Sequence, residues 1–131
     1  MIRIGVDISS PSALERRATR SRADFIGRFW TADEIADARG RYHLLASQWS
    51  VKEATMKALG VGIGRIDPLD IETLHVGTRP DLRLHRSAHK VASTLALTQW
   101  NISVAREDNW VVAFVLGTGG GSDGDVSRSN A

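Results

Sequence analysis

Ile2, Ile4, Val6 and Ile8 alternate with Arg3, Gly5 and Asp7, the period-two pattern of a β-strand. That period puts Asp7 on the face of Arg3 and Gly5, opposite the aliphatic residues. Ser9, Ser10, Pro11 and Ser12 predict a turn and a helix start, followed by a short basic helix from Ala13 to Arg22. Phe25 to Trp30 reads as a hydrophobic connector. Thr31-Ala-Asp-Glu34 is a capping box that opens a short helix to about Arg39, and Gly40 ends it. The main helix runs from about Tyr42 to Leu59, with Leu45, Trp49, Met56 and Leu59 supplying most of a core stripe.

Beyond a glycine-spaced loop, Asp70 to Val76 reads as a strand, Gly77-Thr-Arg-Pro80 as a turn and Leu82-Arg-Leu84 as another strand. Ser87 to Leu97 is expected as a helix. Ile102 to Ala105 and Trp110 to Leu116 form a final antiparallel pair, joined near Arg106 to Asn109. Gly, Ser, Asp and Asn then take over without a hydrophobic period, which predicts one domain over 1–117 and a disordered tail over 118–131. Helices mixed with segregated strand pairs point to the α+β class rather than a doubly wound sheet.

Composition narrows the picture. A chain of 131 residues is long enough for one domain with a genuine core. The absence of cysteine excludes disulfides, thiolate nucleophiles and cysteine-ligated metal centres. No secretory signal pattern is present, and no apolar run approaches the roughly 20 residues that span a bilayer. A soluble cytoplasmic protein, off the membrane, is the expectation. The net charge of +2 is unevenly spread: residues 1–65 carry +4 and residues 66–131 carry −2. Arg16, Arg17, Arg20, Arg22 and Arg28 hold most of the excess. They form either an ordinary solvated face or a patch that steers an acidic partner. No helix-turn-helix, zinc finger or aromatic-plus-basic strand accompanies them, which argues against nucleic acid.

The richest chemistry lies in Trp49-Ser-Val-Lys52-Glu53-Ala-Thr-Met-Lys57-Ala-Leu-Gly60-Val-Gly62-Ile-Gly64. Glu53 and Lys57 are an i,i+4 pair, which many helices carry for only about 0.2–0.5 kcal/mol. Glu53, however, lies between Trp49 and Met56 on the shoulder of the apolar stripe, where a partly buried charge wants a partner. Asp7 in its apolar strand has the same need. Two carboxylates facing an oxygen-rich substrate suit Mg²⁺, which needs few protein ligands when phosphates complete its shell. The glycine run follows a helix rather than preceding one, so it is neither a Walker A loop nor a dinucleotide fingerprint. It serves either as a helix C-cap with a flexible link or as close backbone approach to a phosphate. His75, His85 and His89 lack metal-site spacing, and no GxSxG elbow occurs.

Several blocks, in order, resemble the holo-acyl-carrier-protein synthases, the small phosphopantetheinyl transferases. Ile4-Gly-Val-Asp7-Ile resembles the family's opening G-x-D block, and Phe25-Ile-Gly-Arg28-Phe-Trp-Thr31-Ala-Asp-Glu34 its F-x-x-R-x-hydrophobic-T-x-x-E block. Trp49 to Gly64 resembles the central W/F-x-x-K-E-A-x-x-K-A block with its glycine tail. Asp70-Ile-Glu72, Gly77 to Pro80 and Ile102-Ser-Val continue the order across about residues 2–116. The resemblance implies a small antiparallel sheet packed with a long central helix. It also implies transfer of 4′-phosphopantetheine from coenzyme A to a serine of an acyl carrier protein. On that reading Asp7 and Glu53 bind Mg²⁺ and take part in catalysis with Lys57. Lys52, Lys57, Gly60, Gly62, Gly64 and Arg106 contact coenzyme A, and Arg16, Arg20, Arg22 and Arg28 meet an acidic carrier. A homotrimer holding coenzyme A between subunits is further implied.

Two departures stand out. Gln48 occupies a position where the family commonly has Arg. Ser103-Val-Ala105-Arg106 replaces the family's S-hydrophobic-S/T-H, so Arg106 stands for the histidine. Arginine neutralises phosphate but cannot act as a base at neutral pH. The substitution allows activity with altered coenzyme A affinity, or a diverged member with weak turnover. The alternative expectation is a noncatalytic relative that binds coenzyme A or the carrier.

Overall fold

A computed structural model describes residues 1–21 and 24–120; Arg22 and the segment 121–131, most of the expected tail, lie outside the described residues. In chain order the elements are β1 (Ile2–Ser9), α1 (Pro11–Arg20), α2 (Phe25–Phe29), α3 (Ala32–Ala38) and α4 (Tyr42–Leu59). A 3-10 turn (Pro68–Asp70) leads into β2 (Ile71–Leu74) and β3 (Asp81–Leu84), followed by α5 (Arg86–Thr94), β4 (Leu97–Glu107) and β5 (Trp110–Gly119). The long strands form an antiparallel sheet of order β1-β5-β4, and β2 and β3 form a separate hairpin. Helix α4 lies across the long sheet, with Val51 and Ala54 packed against Ala113 and Val115. The α+β class with a small antiparallel sheet and a long central helix is the observed architecture. Among the described residues no helix is long and apolar enough to cross a membrane.

Gly5 sets the closeness of that packing. A Cβ there would sit 1.7 Å from the Ala54 carbonyl oxygen, so only glycine lets β1 lie directly against α4. The strand's polarity is consequently reversed from the usual pattern. Arg3, Gly5 and Asp7 face the helix, while Ile2, Ile4, Val6 and Ile8 are 51–68% exposed. Phe114, opposite Val6 in the register, and Trp110 extend this apolar face across the sheet.

Local departures from the sequence reading have physical causes. Phe25 to Trp30 is not a plain connector: Phe25 and Phe29 are one helical turn apart and pack edge to face at 5.4 Å. Phe29 also meets Trp49 at 5.6 Å, so tertiary packing turns an aromatic run into a helix. Helix α5 stops at Thr94 rather than Leu97, because Ala96 takes φ 56° and reverses the chain into β4. β4 and β5 are longer than their alternation indicated. Trp100 lies over Gly117, and pairing continues to Gly119, past the expected end of the domain at residue 117. The capping box forms as read, with Thr31 Oγ1 accepting from Glu34 N–H and Glu34 Oε1 accepting from Thr31 N–H. Arg39 and Gly40 then end α3 in the left-handed region.

Candidate functional site

β1 and α4 bring Asp7, Glu53 and Lys57 together at one edge of the sheet. Lys57 Nζ donates to Asp7 Oδ1 at 3.1 Å and to the Val6 carbonyl at 3.0 Å. The lysine side chain is 54% exposed and the aspartate 16%, so the pair opens to solvent. Glu53, one turn before Lys57, is half-buried. Burial and then the neighbouring Asp7 charge hold its carboxyl above the usual carboxylate range, and Lys57 only partly offsets them. Two carboxylates that repel each other beside one lysine form an oxygen-rich group suited to a hard divalent cation. No group of three or more His, Asp or Glu side chains placed to hold a metal ion exists among the described residues. A cation here would have these two carboxylates as its acidic ligands.

The glycine tail divides its work. Gly60 caps α4 at φ 74°, its N–H bonding the Lys57 carbonyl at 3.1 Å while Val61 N–H reaches the Met56 carbonyl at 3.2 Å. Gly64 needs glycine for its φ of 107°, and Gly62 stands in open space. All three lie on the surface just past Lys57. Arg3 reaches the same loop from β1, with its guanidinium 3.7 Å from where a Gly60 Cβ would stand. Sequence reasoning passed over Arg3, although its position two residues before Gly5 put it on the Asp7 face.

Lys52 requires a correction. It is fully buried, pairs with Glu34 Oε1 at 2.7 Å and donates to the Pro68 and Ile71 carbonyls. Burial pushes Glu34 up and Lys52 down, their mutual attraction only partly offsetting it. Glu34 also accepts from Thr31 and Thr73 N–H, so this pair is a strut joining α3, α4 and β2. A side chain spent in this way does not contact coenzyme A.

Arg106 lies at the opposite edge of the sheet. With His43, Leu44, Ser47 and Gly77 it lines a cleft of about 250 Å³ that continues toward Arg39 and Arg41. Burial, then the Arg106 and Arg41 charges, hold His43 below its ordinary imidazole value. Such a cluster of cations favours a polyanion. Arg41 and His43 escaped sequence reasoning; the acid-free run Arg39-Gly-Arg-Tyr-His43 was the available signal. Gln48 is buried and donates to the Glu34 carbonyl at 2.9 Å, away from this cleft's surface.

Arg16 and Arg20 on α1 and Arg28 on α2 are exposed. Arg17 lies over the Phe25 ring at 5.1 Å. It rims a cavity of about 140 Å³ whose walls include Leu14, Phe29, Trp49 and Ile63. Trp49 stands one helical turn before Glu53, so a basic and apolar surface adjoins the carboxylate pair.

With that geometry in view, comparison with known proteins defines the class. A sequence profile of the 4′-phosphopantetheinyl transferase superfamily matches residues 3–115. A holo-[acyl-carrier-protein] synthase of Moorella thermoacetica is 35% identical over 120 residues, covering 88% of this chain and 93% of its own. One from Herpetosiphon aurantiacus is 32% identical over 127 residues, covering 91% and 100%. The crystal structure of the Neisseria meningitidis synthase superposes with a TM-score of 0.79 at 27% identity, covering 90% of this chain and 99% of that one. The Helicobacter pylori synthase in complex with coenzyme A gives 0.77 at 26%, covering 88% and 99%. The chain belongs to this superfamily and is an enzyme of the holo-[acyl-carrier-protein] synthase family, whose activity is phosphopantetheinyl transfer.

Proposed function

We propose that Asp7, Glu53 and Lys57 form the reaction centre of a Mg²⁺-dependent transfer of 4′-phosphopantetheine from coenzyme A to a serine of an acidic acyl carrier protein. The observation that carries this reading is the meeting of two carboxylates, distant in sequence, beside an exposed lysine. Bound by Asp7 and Glu53, Mg²⁺ would neutralise diphosphate charge. The serine oxygen attacks the phosphorus that bears pantetheine, and the bond from that phosphorus to the bridging oxygen breaks. Adenosine 3′,5′-bisphosphate leaves with the bonding pair. Glu53, or a water it holds, takes the serine proton. Lys57 stabilises charge on the phosphoryl oxygens. Gly62, Gly64 and Arg3 surround the phosphates, and Arg16, Arg20 and Arg28 attract the carrier.

The Arg106 cleft takes the nucleotide end, but not in the same copy. Asp7 and Arg106 lie two strand spacings apart, about 10 Å, at opposite edges of the sheet. His43 and Glu53 are separated by about 15 Å of helix rise. The 5′-diphosphate and 3′-phosphate of coenzyme A hang from one ribose and are closer than that. A second copy would supply the other half of the site, and the exposed apolar face of β1 and β5 supports assembly as a homotrimer. Full turnover by a sedimenting monomer would contradict this arrangement.

The test of function is intact-protein mass spectrometry of a panel of apo carriers incubated with the enzyme, coenzyme A and Mg²⁺. At least one carrier should gain one phosphopantetheine arm, and both a chelator and Glu53→Ala should prevent it. No gain on fatty-acid, polyketide or peptide-type carriers would overturn the reading and favour the noncatalytic alternative.

A further inference from the structure

Helix α1 presents Arg16 and Arg20, yet none of its residues is buried. Leu14 gives it one apolar anchor against the Trp30 cluster. Arg17 adds its stacking on the Phe25 ring. A polar anchor comes from the far end of the chain. Asn109 belongs to the two-residue turn between β4 and β5, where Asp108 takes φ 50° and aims the turn toward the start of α1. Asn109 Nδ2 donates to Ser10 Oγ at 2.8 Å and to Ser12 Oγ at 2.6 Å. Its Oδ1 accepts from Ser12 N–H at 3.2 Å. Ser10 Oγ also accepts from Ala13 N–H as the helix N-cap, so the amide closes a network that includes the cap itself. Among the described residues, no other side chain beyond α1 and its cap hydrogen-bonds to this helix.

We propose that Asn109 is a positioning residue for the carrier protein. By clamping the N-terminus of α1 to the β4–β5 hairpin, it holds Arg16 and Arg20 in register with the Asp7–Glu53 centre. The inference rests on the function proposed above. An exposed side chain making three hydrogen bonds to a helix without a buried face contributes little to the core. Its effect is to reduce the ordering that docking would otherwise require. Aspartate can replace it, because a carboxylate accepts from Ser12 N–H and both serine hydroxyls can turn to donate. Alanine cannot.

The experiment compares the full-length chain with Asn109→Ala and Asn109→Asp. It reads steady-state transfer at varied carrier and varied coenzyme A, with hydrogen exchange of α1 and α4 amides. Asn109→Ala should raise KM for the carrier about fivefold through lost preorganisation while kcat and KM for coenzyme A stay within about twofold. Exchange should quicken at the start of α1 and not in α4, and Asn109→Asp should restore both readouts. Equal changes in the two KM values, a carrier KM like the parent's in Asn109→Ala, or no rescue by Asp would overturn the proposal. Should the unaltered chain transfer nothing, the functional reading fails by itself. The exchange arm then decides the clamp, and α1 exchange unchanged in Asn109→Ala overturns it.

Discussion

Lys52 and Lys57 sit on the same helix, each facing a carboxylate, and their surroundings give them opposite roles. Lys52 meets Glu34 with neither side chain exposed, and its remaining donors are taken by backbone carbonyls. Lys57 meets Asp7 with half its side chain in solvent, beside a second carboxylate that lacks a full complement of positive charge. The first pair is closed and holds three elements together. The second is open and incomplete, which is the condition for binding something else. Access, more than residue type, separates strut from site.

The sharpest break of that comparison is to remove each lysine in turn. Lys52→Met leaves Glu34 buried without its partner and should cost about 3–5 kcal/mol in urea unfolding. Adding Glu34→Leu should recover part of the loss, because the two residues are coupled. Lys57→Met, by contrast, should change stability by less than about 1 kcal/mol, as exposed ion pairs do. Its transfer rate should fall about 10²-fold or more, the usual cost of losing a charge-stabilising donor. Equal stability losses in the two variants would erase the distinction.

A smaller effect of opposite sign sharpens it. Glu53 is held above its ordinary range in the folded state by burial and Asp7. Charging it therefore opposes folding: its favourable contribution is complete below the unfolded value of about 4.5 and is lost as pH rises through the higher folded value. Glu53→Gln should thus melt roughly 2 °C higher than the parent at pH 7 without divalent cations, and the gain should vanish below pH 4.5. A melting temperature lowered at neutral pH would show instead that the Glu53 charge stabilises the fold.

Much of this was legible in the chain. Period-two alternation located β1 and the face of Asp7, the capping box located α3, and the span of α4 followed from its apolar spacing and from Gly60. What escaped were features set by partners distant in sequence. The apolar stripe of α4 gave no sign that Ser47, Gln48, Lys52 and Thr55 are buried too, because only the packing of α3 and β2 encloses them. Lys52 therefore read as a ligand contact. The outward turn of Ile2, Ile4, Val6 and Ile8 was equally hidden, since alternation identifies two faces without saying which is covered. Gly5 held that information, as its missing side chain is what admits Ala54. The basic cleft around His43 and Arg106 joins α4 and β4, segments distant in sequence that only tertiary packing brings together.

The central claim is that Asp7 and Glu53 hold a divalent cation against the coenzyme. Calorimetric titration of coenzyme A into the enzyme, with and without Mg²⁺, tests it most directly. The account predicts that Mg²⁺ tightens binding about tenfold or more in the parent and has no such effect in Glu53→Gln, because a metal bridge to phosphate needs both carboxylates. The same tightening in both proteins would contradict it.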